Sequence, residues 1–242
     1  MPEYVVSLTT IPSKFQHLHH TMDSLIQQTL PPSKIVINLP KQYHFRLKGE
    51  ISDEDVAAFL KPYAAFPCVV NRTEDFGPGT KLLGVLKSNL LEGMDPSDTY
   101  LVLVDDDLIY KPQMLEWLDQ AVKNKTEVGS FWVYPFHELR VGQGADAFLM
   151  RLSLMDSFLD YYDRIKAQDY VNYHDDFYIS FYFQRMKKQI EHVKTPSDCS
   201  IYEMHPHTYT DALCKLQDKY SRPNVNHHTY AILTDLHQRG LL

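Results

Sequence analysis

Residues 99–110 read TYLVLVDDDLIY, and this stretch constrains the chain more than any other. Leu101 to Val104 form an unbroken apolar run, and Asp105, Asp106 and Asp107 follow at once. An apolar run without polar alternation is a strand covered on both faces, as in a parallel sheet sandwiched between helices. Three adjacent carboxylates repel one another, so a fold that gathers them at a strand end needs positive charge there to offset them. In open α/β sheets the crevice beyond the carboxyl ends of the strands is where ligands bind. A solvated acidic turn is the plainer alternative, but a buried strand leading straight into the carboxylates fixes where they point.

The flanking sequence supplies the rest of such a sheet. Tyr4 to Leu8 is β-rich, and TTIPSKF after it has the composition of a strand-to-helix turn. Ser13 is a capping residue, and Phe15, Leu18, Met22, Leu25 and Ile26 recur at helical spacing to Gln28, before Pro31 and Pro32. Lys34 to Leu39 is the next strand, so the chain opens with a β-α-β unit. Further on, the pattern predicts helices at Ser52–Leu60, Thr80–Leu90, Gln113–Val122, Leu152–Ile165 and Asp211–Lys219. It predicts strands at Cys68–Val70 and Gly129–Tyr134, loops at Asn71–Gly79 and Gly142–Asp146, and a polar, His-bearing tail. Strand and helix alternate as in a doubly wound nucleotide-binding half.

Charge removes one class of partner. The chain carries 24 Lys and Arg against 31 Asp and Glu, a net of −7, so a surface that tracks nucleic acid is not expected. An anionic ligand must be met by local groups, a helix N-terminus or a metal. Cys68, Cys199 and Cys214 are scattered and odd in number, which points to neither a disulfide framework nor a zinc site but to a reducing compartment. The N-terminus shows no basic region followed by a long apolar run, and no segment is long and apolar enough for a transmembrane span. The expectation is a cytoplasmic chain.

Three constellations could carry chemistry. Asp105 and Asp107, separated by one residue at a turn, can both face a hard divalent cation that takes oxygen ligands and completes its shell with substrate phosphates, while Asp106 points elsewhere. The stretch Asn71–Lys81, NRTEDFGPGTK, combines glycines, a helix start near Thr80, and the cations Arg72 and Lys81, although no Walker sequence is present; a plain surface loop is the alternative. His174-Asp175-Asp176 precedes a helical run inside an aromatic stretch from Tyr161 to Phe183, where a carboxylate is placed to act as general base and aromatic faces suit sugars. Helix capping ahead of core aromatics is the alternative there. His17, His19 and His20 read as a solvated helix face. His205-x-His207 could lend a metal ligand but lacks a third partner.

Together, SLTTIP at the end of the first strand, the β-α-β start, DFGPGTKLLG, the strand ending in DDD and the acidic pair after a Gly-rich loop resemble GT-A-fold glycosyltransferases with a DxD motif that use nucleotide sugars. The likeness is to the small soluble domains of viral and bacterial glycan-building enzymes, and it spans residues 4 to 190 or so. It implies a single α/β domain, a Rossmann-like, mostly parallel sheet with helices on both faces. Residues to about 110 would form the nucleotide-binding half and the remainder the acceptor-binding half and tail. It implies that Thr9, Thr10 and Pro12 lie along the nucleoside, that Arg72 and Lys81 face the base or diphosphate, and that Asp105 and Asp107 hold Mn²⁺ or Mg²⁺ with Asp106 near the ribose or donor sugar. Gly144, Asp146 and His174 would border a glycan acceptor. Asp175 or Asp176 would be the base of an inverting transfer from a nucleotide sugar donor, UDP-sugars favoured. A retaining transferase, a nucleotidyltransferase and a non-catalytic carbohydrate-binding domain stay open as alternatives; against the nucleotidyltransferase, TTIPSKF lacks the glycines of a phosphate loop.

Overall fold

The apolar run of residues 101–104 is continuous because helices cover both faces of the strand it forms. The computed structural model of the chain describes residues 2–45, 49–196, 199–207 and 220–242. The chain enters strand β1 (Glu3–Thr9), turns through α1 (Pro12–Phe15) and α2 (His19–Ile26), and continues into β2 (Lys34–Pro40). Helix α3 (Asp53–Leu60), β3 (Cys68–Thr73) and α4 (Thr80–Leu86) precede β4 (Thr99–Leu103) and the short β5 (Leu108–Tyr110). Next come α5 (Met114–Lys123), β6 (Val128–Ser130), the hairpin of β7 (Val133–Phe136) and β8 (Leu139–Gly142), and β9 (Phe148–Arg151). Helices α6 (Phe158–Ile165) and α7 (Asp175–Arg185), strands β10 (Glu191–His192) and β11 (Tyr202–Met204), and helix α8 (Arg222–Gln238) complete the described chain.

Seven strands form one sheet in the order β10-β6-β9-β4-β1-β2-β3. β1 pairs in parallel with both β2 and β4, with Val5 beside Leu101 and Val6 beside Val102, and only β9 runs antiparallel to its neighbours. Val5, Leu101 and Leu103 pack on α4, α6 and α7 through Leu82, Phe158 and Phe177. Tyr4, Val6, Leu8 and Val102 pack on α2 and α5 through Leu18, Met22 and Leu115. The chain walks outward from β1 to β3 and then crosses back to β4 on the other side of β1. The carboxyl ends of β1 and β4 therefore lie at a topological switch point, where such sheets open a crevice.

Several boundaries differ from the sequence pattern, each for a local reason. The helix expected from Ser13 to Gln28 is two helices: the His17 and Leu18 amides bond three residues back, to the Lys14 and Phe15 carbonyls, and Ile11, not Ser13, stands at the N-cap position. α4 stops at Leu86 because the Ser88 hydroxyl donates to the Val85 carbonyl and accepts from the Leu90 amide. The strand expected at Gly129–Tyr134 breaks after Ser130, whose hydroxyl takes the Trp132 amide. β9 and a 3-10 turn at Leu152–Leu154 occupy the start of the helix expected at Leu152–Ile165. The expected helix Asp211–Lys219 lies outside the described residues. The tail expected to be merely polar carries α8, which buries Val225, Thr229 and Leu233. No described helix is long and apolar enough to cross a membrane.

Candidate functional site

A cavity of about 420 Å³ opens at the switch point. β1 delivers Thr9 and Thr10 to its wall, β4 ends at the aspartates on its floor, and α7 presents Asp175 and Asp176 from its first turn. Tyr110 holds the aspartate turn: its hydroxyl accepts the Asp105 amide at 2.9 Å and donates to the Ala145 carbonyl at 3.1 Å.

Two lysines hold this acidic floor together. Lys14, at the start of the first helix, reaches Asp106 at 3.1 Å and Asp107 at 2.9 Å. Lys81, on α4 and only 4% exposed, reaches Asp105 at 2.7 Å and Asp175 at 3.2 Å. Burial alone would lower both lysine pKa values, but the neighbouring aspartates outweigh it and hold both cationic. Asp107 is nonetheless pushed above the usual carboxylate range, by burial and then by Asp106, so Lys14 does not fully offset the crowding. Among the described residues, six aspartates line the cavity against three cations, Lys14, Lys81 and Arg222, an excess of three negative charges. That excess and the oxygen-only floor suit a hard divalent cation with Asp105 and Asp107 as its ligands.

The acidic pair on α7 is split by its surroundings. Both carboxylates are desolvated, which raises their pKa. For Asp175 burial prevails over the Lys81 charge, and its pKa is raised. Asp176 accepts the Gly144 amide at 2.9 Å and sits 3.5 Å from His174 Nε2, and with the Lys81 charge these hold it below the usual range despite burial. Asp175 Oδ2 is buried and has only its ion-pair contact with Lys81, with no hydrogen bond. α8 braces this corner: the Arg222 guanidinium lies 3.3 Å from His174 Nε2, and His174 Nδ1 lies 2.5 Å from Asn226 Oδ1.

The sequence-predicted residues divide cleanly. Thr9, Thr10, Lys81, Asp105, Asp106, Asp107, His174, Asp175 and Asp176 line the cavity. Gly144 and Asp146 stand just behind it, on the loop that meets Asp176. Pro12 starts α1 and does not line it. Arg72, expected to face the base or diphosphate, does not line the cavity; it bonds Asp53 at 2.5 Å and the Ile51 carbonyl at 2.8 Å. Asp53, at the first position of α3, holds that guanidinium away from the cavity. Most of the aromatic stretch is core, not cleft: Tyr161, Tyr162, Phe177, Tyr178, Tyr182 and Phe183 are buried. Only Tyr173 reaches the cavity, in a stack with Phe45 at 4.7 Å and Tyr220 at 4.1 Å. Lys14, Arg222 and Asn226 were missed. Lys14 alone had a signal, a cation just past the carboxyl end of the first strand.

No family model and no curated protein matches the chain. Solved structures are similar to it, three of them as follows. S. aureus TarS 1–349 in complex with UDP-GlcNAc is 13% identical with a TM-score of 0.44, covering 64% of this chain and 47% of TarS. The mannosyltransferase PcManGT from Pyrobaculum calidifontis, in complex with GDP-Man and Mn²⁺, is 12% identical with a TM-score of 0.48, over 65% and 46%. A 4-diphosphocytidyl-2C-methyl-D-erythritol synthase is 12% identical with a TM-score of 0.50, over 82% of this chain and 96% of the synthase. This chain has the synthase's fold. It spans about half the length of the TarS and mannosyltransferase chains.

Two variants test the geometry behind the cavity. A Cβ at Gly144 would stand 2.7 Å from Lys81 Nζ and 3.3 Å from Asp176 Oδ1. Since the lysine end is flexible, Gly144→Ala is expected to displace the ammonium at a cost of roughly 1 kcal/mol. Any turnover should fall tenfold or more, and unchanged turnover would show that the ammonium position is unimportant. Asp146 is pushed up to about 6 by burial and by Asp105 and Asp176. Its ionisation therefore opposes folding: the penalty is absent below pH 3.8, grows as pH rises from 3.8 to about 6, and stays constant above that. Relative to wild type, Asp146→Asn should gain stability between pH 4 and 7, by about 1 kcal/mol after allowing for solvent. A difference in Tm that does not change with pH would contradict this.

Proposed function

We propose that the chain is a glycosyltransferase that moves a sugar from a nucleoside-diphosphate sugar, UDP-sugars favoured, to a hydroxyl of a glycan acceptor. In this reading the chain is one domain, with the nucleotide in the half up to about residue 110 and the acceptor in the rest. The observation that carries it is the facing of Asp105–Asp107 and the split pair Asp175 and Asp176 across one buried ammonium, at the switch point.

Thr9 and Thr10 line the nucleoside side, and the buried Thr10 hydroxyl, which has no hydrogen-bond partner, is placed to meet a polar atom of the donor. Asp105 and Asp107 would hold Mn²⁺ or Mg²⁺, whose chemistry is charge neutralisation of the departing diphosphate. Lys14 and Lys81 add fixed positive charge at the same place. Asp175 takes the acceptor proton as the acceptor oxygen bonds the anomeric carbon and the bond to the diphosphate breaks, which inverts that carbon. Its raised pKa favours it over Asp176 as base, because two carboxylates with pKa values pushed apart take different roles. Asp176 instead fixes the 143–147 loop against the acceptor side.

The fold shared with the synthase over 96% of its length favours one second reading, nucleotidyl transfer in the same cavity. Incubation with nucleotide sugars plus glycans, and separately with nucleoside triphosphates plus sugar phosphates, separates the two. Release of nucleoside diphosphate in the first mixture supports glycosyl transfer, and the anomeric configuration of the product reads inversion. Release of pyrophosphate in the second alone would replace this reading with the other.

A further inference from the structure

Outside the cavity, three histidines from distant parts of the chain meet. We propose that His17, His20 and His207 bind a transition-metal ion of the Zn²⁺ class at a site separate from the aspartates. One ring nitrogen of each lies within 4.8 Å of the others, and theirs is the one group of three or more His, Cys, Asp or Glu side chains so placed among the described residues. His20 is the second residue of α2 and His17 stands one turn before it, the His20 amide donating to the His17 carbonyl at 3.2 Å, so the two lie on one side of the chain. His207 arrives from the far side of the fold, just after β11. It is steered by His205, whose amide donates to the Asp107 carbonyl and whose ring contacts the Thr21 hydroxyl at 3.0 Å. The His17 and His207 rings stack at 3.6 Å, and His20 lies 5.5 Å from His207.

The donor chemistry selects the ion. Three imidazoles without a carboxylate suit Zn²⁺, Cu²⁺, Ni²⁺ or Co²⁺ and not Mg²⁺ or Mn²⁺, the reverse of the aspartate floor. Tetrahedral Zn–N bonds of about 2.0–2.1 Å bring nitrogens to roughly 3.4 Å of one another, so the rings must close by about 1 Å or so. His207 is exposed and His17 and His20 half-buried, which leaves them room to do so, and the fourth position falls to water. Desolvation and the neighbouring imidazoles hold His17 and His20 below the ordinary histidine value, so the neutral, ligating form is present at neutral pH. A bound ion pins the segment after β11 to α2, and β11 itself carries Tyr202 and Met204 of the cavity wall.

The site does not depend on the glycosyl-transfer reading and is tested without turnover. Calorimetric titration of the tag-free chain with ZnCl₂ should show binding that weakens at least tenfold in His207→Gln, a change at an exposed position. It should vanish in the His17→Gln, His20→Gln double variant, persist in Asp105→Asn, and weaken from pH 7.5 to 5.5. No zinc binding in wild type would overturn the proposal. So would binding that survives in both histidine variants, or is lost in Asp105→Asn, since the ion would then sit on cysteines or on the aspartate floor.

Discussion

Asp175→Asn is expected to lower kcat by roughly 10³-fold while changing the donor KM by less than about threefold. The substitution keeps the shape of the side chain and removes the one buried carboxylate of the described cavity lining whose pKa is raised. A general base must be ionised, so the wild-type rate should climb with pH through a limb above the usual carboxylate range, and that limb should be missing in Asp175→Asn. Asp176→Asn should act differently. It exchanges the charged acceptor of the Gly144 amide for a neutral, weaker one and loosens the loop, so its effect should fall more on acceptor KM. If the two variants exchanged these signatures, Asp176 would be the base; if neither lowered kcat, the chain would not use this pair for catalysis.

The largest effect on stability is expected from Lys81→Met. Its ammonium is buried between Asp105 and Asp175, and its backbone is anchored by the Ser7 hydroxyl on the Lys81 carbonyl at 2.5 Å. Removing one partner from a buried charge cluster leaves the others uncompensated, at a cost of about 3–5 kcal/mol. For a chain of this size that is roughly 10 °C in Tm. The sign with pH follows from the carboxylates left behind. Without Lys81 their folded pKa values rise, so the penalty is present at neutral pH and fades as the pH falls and they protonate. Chemical unfolding at pH 7.5 and pH 5 checks this, and a deficit equal at both would show that packing, not charge, is what Lys81 supplies.

Where the fold was legible, local chemistry and tertiary structure agreed. The strand of residues 101–104 and its aspartates could be read because an apolar run and a charge cluster meet at one point, and the β1-α2-β2 opening because its spacing is regular. Lys14 read as part of a turn: its place just past the carboxyl end of the first strand was its one signal, and its partners lie 92 and 93 positions away. Arg72 was misplaced because its partner Asp53 is set by the pairing of β2 with β3, which brings the start of α3 beside it. The aromatics between Tyr161 and Phe183 read as a sugar platform, but two sheet-facing helices bury most of them, and the stack that does face the cavity needs Tyr220. α8 escaped notice because only three of its positions, four residues apart, are buried. The histidine cluster is only half local: His17 and His20 are three residues apart, but His207 lies 187 residues beyond His20 in the sequence.

The most direct test of donor binding at the aspartate floor is a thermal-shift titration with UDP, GDP, CDP and ADP, with and without Mn²⁺, on wild type and Asp107→Asn. A ligand that binds only the folded chain raises the midpoint as its concentration exceeds its Kd. One nucleotide should shift wild type in the presence of Mn²⁺ and fail to shift Asp107→Asn. No shift with any nucleotide, or an equal shift in the variant, would contradict a nucleotide-sugar site at Asp105–Asp107.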